Sequence, residues 1–229
     1  MSPLTILRKI IKQGKNRIAF FLIISGFYAP FSKQYKLIEK AYDTAKDAFR
    51  FKNREDGDRY FEHLREVTLI AIIYLGITDY RDIVCLLLHD IVEDIESWTL
   101  ERVAREFGRK IARHLEYLTK EKIKGLSKDQ LTYRYYKRFE SAPRIVIIKK
   151  LCDRMHNLMK LYGCDREKQL RKINETIKYY LPLARKVMVF YWEFILMIDE
   201  LQRRMKSERT VQYLLPPGSM SVKILPASK

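Results

Sequence analysis

The strongest constraint on how this chain can fold is a charged run set directly after an apolar one, Cys85-Leu-Leu-Leu-His-Asp-Ile-Val-Glu-Asp94. Read as a single buried helix, His89, Glu93, Asp90 and Asp94 fall at about 0°, 40°, 100° and 140° around the axis. Three carboxylates and an imidazole then share one face. That much negative charge beside buried apolar side chains is costly unless a cation compensates it. A divalent metal is the economical reading, and a solvated acidic turn at a helix end is the plainer alternative. Further ligands elsewhere in the chain decide between them.

Two more groups carry suitable chemistry. Arg54-Glu-Asp-Gly-Asp-Arg-Tyr-Phe-Glu-His63 lies upstream, and Lys150-Leu-Cys-Asp-Arg-Met-His-Asn157 lies downstream. On a helix Asp153 and Asn157 are one turn apart, so with Lys150 they can face one cavity while Cys152 and Met155 turn elsewhere. Imidazole nitrogen with carboxylate oxygen suits a borderline-to-hard divalent ion that keeps positions for water and phosphate. The residue types alone leave manganese, iron, zinc and magnesium open. His114 and His156 have no carboxylate at convincing spacing and read as structural histidines.

The order His63, His89-Asp90, Asp153 resembles the H…HD…D signature of the HD-domain metal-dependent phosphohydrolases. The R-x-x-G-x-x-Y-x-x-H entry, the HD-x-x-ED core and the D-R-x-H-N exit are similar to the hydrolase domain of the Rel/SpoT alarmone enzymes and the stand-alone small alarmone hydrolases. The likeness runs from about Leu37 to Leu201. It takes in Leu100-Glu-Arg-Val-Ala-Arg-Glu-Phe-Gly108, and Glu175-Thr176 followed by Tyr180-Leu-Pro-Leu-Ala184.

The resemblance implies Mn²⁺ held by His63, His89, Asp90 and Asp153, and hydrolysis of the 3′-pyrophosphate of (p)ppGpp. It also makes Glu93 and Asp94 the catalytic acids, one turn beyond the ligand pair, where a carboxylate can take a proton from attacking water. Orienting the ligand histidines is their other reading. Arg54 is expected near the nucleotide, where a guanidinium can stack on a base or fork onto a phosphate. Asn157 is expected to face the nucleoside and Lys150 the same cavity, and Tyr60 reads first as a packing residue and second as a nucleotide contact. Two departures from the family involve three positions. Glu55 and Asp56 follow the arginine where a basic and a small polar residue are common, and Lys160 stands where threonine is frequent. Lys160 falls about 20° from Asp153 on the helical wheel and can meet a phosphate. The metal machinery is intact, while the base is open: (p)ppApp or NADPH are the enzyme alternatives, and a basic nucleotide-binding protein without catalysis is the alternative of another class.

With 229 residues the chain is expected to form one sizeable core without a synthetase half. Apolar residues recur at helical spacing, as in Val67, Ile70, Ala71 and Tyr74, and no strand pattern competes. The expectation is an all-α, multi-helix domain with its metal site between helices. Helices are expected near 4–13, 16–28, 34–50, 60–75, 79–94, 99–107, 109–119, 128–139, 143–160, 165–181 and 183–207. The stretch from Val187 to Ile198 reads as a core helix. Three stretches follow: 1–33 a basic and apolar helical segment, 34–207 the HD domain, and 208–229 a mobile tail rich in turn formers.

Lys and Arg number 45 against 28 Asp and Glu, a net charge of +17. Such an excess can concentrate a polyanionic nucleotide, keep the chain soluble, or bind nucleic acid or an anionic membrane without sequence selectivity. No zinc-finger spacing or RNA-binding aromatic pattern points to specific nucleic acid. Arg8, Lys9, Lys12, Lys15 and Arg17 precede an apolar run from Ile18 to Phe31. That run is too short to span a bilayer and lacks a convincing cleavage site, so it reads as a helix docking on the domain or resting on a membrane surface. Cys85, Cys152 and Cys164 form no disulfide framework, which points to a reducing cytoplasm.

Overall fold

Local capping explains where the helices begin. In the computed structural model, which describes residues 1–55, 57–121 and 123–205, Ser2, Asn16, Ser32, Asp79, Thr99, Ser127 and Asp165 each accept a backbone N–H at the start of a helix. Such a cap satisfies one of the donors that a helix N-terminus leaves unpaired. The elements are α1 (Pro3–Ile11), α2 (Arg17–Ser25), α3 (Lys33–Ala48), α4 (Tyr60–Leu69), α5 (Tyr80–Leu87), α6 (Ile91–Asp94), α7 (Leu100–Phe107), α8 (Arg109–Leu118), α9 (Lys128–Lys137), α10 (Arg144–Met159), α11 (Arg166–Glu175), α12 (Leu181–Val187) and α13 (Tyr191–Arg204). π-helical turns at Ile70–Tyr74 and Thr176–Tyr180 prolong α4 and join α11 to α12. Among the described residues no strand forms; a single antiparallel bridge joins Asn53 to Arg59. The fold is all-α. The expected tail at 208–229 and Asp56 lie outside the described residues.

α10 is the axis of the molecule. It touches α4, α8, α12 and α13, and its apolar residues Val146, Leu151, Cys152, Met155 and Leu158 are fully buried. Burial of each large one is worth about 1.5–3 kcal/mol. α1 and α2 add Leu7, Ile10, Phe20 and Ile24 to the same core. No helix among the described residues is long and apolar enough to cross a membrane.

Two expected helices are broken. The stretch 79–94 splits because Leu88, His89 and Asp90 form a turn, with Leu88 at φ −107°, ψ 6° and Asp90 at φ −105°, ψ 0°. His89 and Asp90 therefore do not share a continuous helical face with Glu93 and Asp94. The stretch 183–207 splits at Met188 and Phe190, both in the left-handed region at φ 55° and 62°. Val187 to Ile198 is thus not one core helix, and Met188 and Trp192 point to solvent. Phe190 offsets its backbone cost by burying its ring against Tyr74, 5.7 Å away and nearly parallel. Conversely, the break expected near residue 182 is absent. Pro182 sits in the first turn of α12, where its missing N–H costs little.

Candidate active site

Three chain segments deliver the predicted ligands to one point. His63 projects from α4, His89 and Asp90 from the turn after α5, and Asp153 from α10. His63 Nε2 lies 3.3 Å from Asp153 Oδ1 and 3.7 Å from Asp90 Oδ2. His89 Nε2 lies 3.2 Å from Asp90 Oδ2 and 3.8 Å from Asp153 Oδ1. Each of the two carboxylate oxygens thus approaches both ring nitrogens, the mixed nitrogen and oxygen donor set that suits a divalent cation. His63, His89 and Asp90 by themselves form a cluster able to hold a metal ion.

The chemistry of the atoms fits a cation. His89 Nδ1 donates to Leu86 O at 2.8 Å, which fixes that ring and turns Nε2 inward. There Nε2 is buried without a hydrogen-bond partner. Burial opposes a charge on His89, yet Asp90 and Asp153 raise its pKa well above the ordinary value. A proton is held where a divalent ion would relieve the same two carboxylates. Burial drives His63 the other way, down to about 3, so its Nε2 lone pair is available to a metal at neutral pH.

Supporting groups hold each carboxylate. The Tyr60 hydroxyl donates to Asp90 Oδ2 at 2.7 Å, while its ring stacks on Phe49. Tyr60 is thus more than a packing residue. Lys150 Nζ donates to Asp153 Oδ2 at 2.8 Å and Asn157 Nδ2 to Asp153 Oδ1 at 2.6 Å. Arg54 in turn donates to Asn157 Oδ1 at 2.8 Å. Gly57, at φ 88°, makes the tight turn that brings Arg54 over α10, closed by Gly57 N–H to Arg54 O at 3.0 Å.

His156 and Glu66 complete this support, and the spacing argument missed both. His63 Nδ1 lies 2.9 Å from His156 Nδ1, and His156 Nε2 lies 2.7 Å from Glu66 Oε2. A carboxylate only accepts, so a neutral His156 donates through Nε2 and accepts through Nδ1. His63 must then donate through Nδ1, which leaves its Nε2 free of hydrogen. His114 also has a distant carboxylate, Asp82, 3.6 Å away. Neither histidine is a ligand, but both have partners on other helices.

Above the cage opens a cavity of about 730 Å³. Its walls include His63, Asp90, Asp153, Arg54, Lys150, Asn157 and Lys160 together with Tyr135, Tyr136 and Tyr180. Glu93 and Asp94 stand on its rim, half-buried. Glu93 accepts from the Lys120 backbone N–H at 3.1 Å and from Lys120 Nζ at 3.2 Å; Asp94 faces Lys52 Nζ at 2.9 Å. Lys160 pairs with Asp58 at 2.7 Å and approaches Glu66 at 3.6 Å. Glu55 pairs with Lys168 at the cavity edge. Tyr135, Tyr136, Lys52, Lys120, Lys168 and Lys172 escaped the sequence reading because no short motif contains them, and Tyr180, which stands in the Tyr180-Leu-Pro-Leu-Ala184 block, was given no role there.

The separate sequence blocks also meet. Buried Arg154 donates to Thr176 Oγ1 at 2.9 Å and to Glu175 Oε2 at 3.0 Å, so the D-R-x-H-N helix is tied to the Glu175-Thr176 segment.

Known proteins are similar to this chain in sequence and in fold. The chain is 34% identical over 154 residues to a guanosine-3′,5′-bis(diphosphate) 3′-pyrophosphohydrolase of Aquifex aeolicus, covering 67% of this chain and 22% of that protein. It is 29% identical over 163 residues to the bifunctional (p)ppGpp synthase/hydrolase SpoT of Escherichia coli, covering 69% of this chain and 23% of that one. A GTP pyrophosphokinase of Streptomyces coelicolor is 35% identical over 153 residues, 66% of this chain and 18% of its own length. The chain thus spans about a fifth of the length of these curated relatives. The fold is also similar to the solved structure of a metazoan ortholog of SpoT described as hydrolysing ppGpp, at 22% identity and a TM-score of 0.64, over 79% of this chain and 99% of that one. The HD-domain pattern itself matches residues 41–190, a span that contains the four ligands expected from the sequence and both rim acids. With His63, His89-Asp90 and Asp153 drawn to one point beneath that cavity, the chain belongs to the HD-domain family.

Proposed function

We propose that this chain is a Mn²⁺-dependent phosphohydrolase that removes the 3′-pyrophosphate of guanosine tetra- and pentaphosphate. The observation that carries the reading is the buried His89 Nε2, without a hydrogen-bond partner, inside a ring of three further ligand atoms beneath a cation-lined cavity. His63, His89, Asp90 and Asp153 would hold the metal, which supplies Lewis acidity toward water and phosphoryl oxygens.

The remaining work falls to side chains. Lys150, Arg54 and Lys160 border the space where the phosphates would lie, and Tyr135, Tyr136 and Tyr180 offer faces for the nucleoside. Glu93 and Asp94 accept protons from the attacking water. In the present arrangement Lys120 and Lys52 neutralise them, and these lysines are also the nearest partners for an entering pyrophosphate. Binding of substrate exchanges those partners and leaves the carboxylates basic. The water oxygen ends on phosphorus, the bond from phosphorus to the ribose 3′ oxygen breaks, and that oxygen takes up a proton. The products are GDP or GTP and pyrophosphate.

A second reading rests on Glu55. An acidic side chain paired with Lys168 stands at the cavity edge where the resembled family commonly carries a basic residue, and this suits a different base. From the cysteines we also infer a cytoplasmic location, a reducing compartment in which Cys85, Cys152 and Cys164 stay free thiols.

The test is incubation of manganese-loaded protein with ppGpp, ppApp and NADPH, followed by separation of products by charge. Pyrophosphate release from ppGpp is expected. Release only from ppApp, or of phosphate from NADPH, transfers the activity to that substrate; no turnover of any of the three overturns the enzyme reading.

A further inference from the structure

The N-terminal segment lies outside the matched HD-domain span of 41–190 and has an unusual charge pattern. Residues 1–38 contain five basic residues from Arg8 to Arg17 and two more at Lys33 and Lys36, seven in all, with no aspartate or glutamate. The next acids, Glu39 and Asp43, are both engaged by Arg17 at 2.7 and 3.1 Å.

Beside these cations the segment exposes large apolar side chains. α2 buries Phe20, Phe21 and Ile24 in the core and turns Ile18 and Leu22, one helical turn apart, to water at 83% and 73% exposure. Phe31 follows at 82%, with its backbone in the left-handed region at φ 69°. A bulky residue there carries both a backbone and a solvation cost, and no burial within the described chain offsets either. Lys15 lies two residues before α2 and Lys33 two residues after Phe31, both exposed.

We propose that this face is a membrane-docking surface, on which Ile18, Leu22 and Phe31 enter the acyl boundary of an anionic bilayer while Lys15, Lys33 and Lys36 sit among its headgroups. At nine residues α2 is about 13 Å long, far too short to cross the hydrocarbon, so it lies in the plane of the interface. Other occupants use only half of the pattern. A second copy of the chain would bring the same predominantly basic surface against itself. Residues 206–229 carry Lys206, Arg209, Lys223 and Lys229 against Glu208 alone, so they too are basic. Nucleic acid would engage the lysines and leave Ile18 and Leu22 in water. An anionic lipid surface satisfies both.

The experiment is co-sedimentation of the full chain with vesicles of phosphatidylcholine, alone or mixed with phosphatidylglycerol. Binding to the mixed vesicles, little to the neutral ones, and release at high ionic strength are expected. Ile18→Ser with Leu22→Ser should lower partitioning on the order of 100-fold. Lys15→Gln with Lys33→Gln should lower it roughly fivefold per charge. Neither pair touches the core, so thermal unfolding and metal content should match the parent and give an independent check of folding. Three results overturn the proposal: a parent chain that stays in the supernatant with anionic vesicles, an apolar variant that partitions as well as the parent, or a dimer by light scattering that the apolar variant abolishes.

Discussion

Neighbouring lysines on α10 enter two buried polar clusters, and the clusters differ in what they leave over. Lys149 Nζ lies 2.6 Å from Asp82 Oδ1 and 2.8 Å from His114 Nδ1, with all three residues buried. One ammonium meets one carboxylate across an imidazole. None of the three lines the large cavity. Lys150 instead serves Asp153 in the cage with His63, His89 and Asp90. There two carboxylates face one ammonium, a formal charge of −2 + 1 = −1 once both histidines are neutral, as metal ligands must be, and His89 Nε2 has no hydrogen-bond partner. Histidine, aspartate and lysine in a core therefore do not by themselves mark chemistry. A closed set of charges is an internal ion pair, whereas an accessible set with a charge and a lone pair to spare invites a ligand. A dication brings the cage to +1, the sign that welcomes phosphate.

The largest effect that sharpens this contrast is removal of the surplus. Asp153→Ala should lower metal affinity by more than the roughly 100-fold typical of a supporting residue and abolish hydrolysis. Metal content after dialysis is the measurement, and undiminished manganese would take Asp153 out of the cage. Next come the rim acids. Glu93→Gln with Asp94→Asn should keep the metal and bind nucleotide while turnover falls roughly 10²–10⁴-fold, the usual scale of proton-transfer help. Titrating Mn²⁺ into the double variant while following pyrophosphate release checks this. Full rescue by metal would make the pair a support for the ligand histidines instead.

The closed cluster should respond in stability and not in chemistry. Lys149→Met strands Asp82 in the core, and breaking such a buried pair costs about 3–5 kcal/mol. Denaturant titration should show that loss, with metal bound per folded molecule unchanged; a loss of metal as well would mean that the two clusters act as one. Acid sensitivity adds a second readout. Burial pushes the Asp82 carboxyl up, but the hydrogen bond with His114 and the Lys149 ammonium bring it below its ordinary value. Its stabilisation is complete above the ordinary carboxylate range and fades as pH falls through the lower folded value. In Lys149→Met that acid-side decline should shrink.

How much of this could be read in advance depends on distance along the chain. Lys150, Asp153 and Asn157 were legible because the helical repeat fixes their common face within one turn. Helix starts at Ser2, Asn16, Ser32 and Thr99 carried ordinary capping residues. The turn at Leu88 to Asp90 was hidden, because Cys85-Leu-Leu-Leu has the same apolar character on either side of a helix end. The break at Met188 and Phe190 had no glycine or asparagine to announce it: the Phe190 ring is held by packing on Tyr74, which no local propensity signals, and Met188 beside it is exposed. The pairs His156 with Glu66 and His114 with Asp82 join helices 90 and 32 residues apart, as 156 − 66 and 114 − 82 give. Spacing within one helix cannot find them.

Glu66 offers the subtlest of the four tests, because it touches neither cavity water nor metal. Its carboxylate accepts from His156 Nε2, which obliges His156 Nδ1 to accept from His63 Nδ1 and so presents a bare His63 Nε2 to the cage. Glu66→Leu removes the acceptor that sets this order and lets the two rings exchange roles. Metal affinity should fall roughly 10–100-fold, the range for a residue that orients a ligand. Glu66→Gln, whose amide oxygen can still accept, should fall less. Imidazole nitrogen chemical shifts in protein without added metal give a readout that activity cannot mimic: His63 Nε2 should be unprotonated in the parent and shared between the two tautomers in Glu66→Leu. If the Leu variant keeps both the parental tautomer and the parental affinity, Glu66 is merely a charge partner for Lys160 and Arg65, and the cage orients His63 without help from outside it.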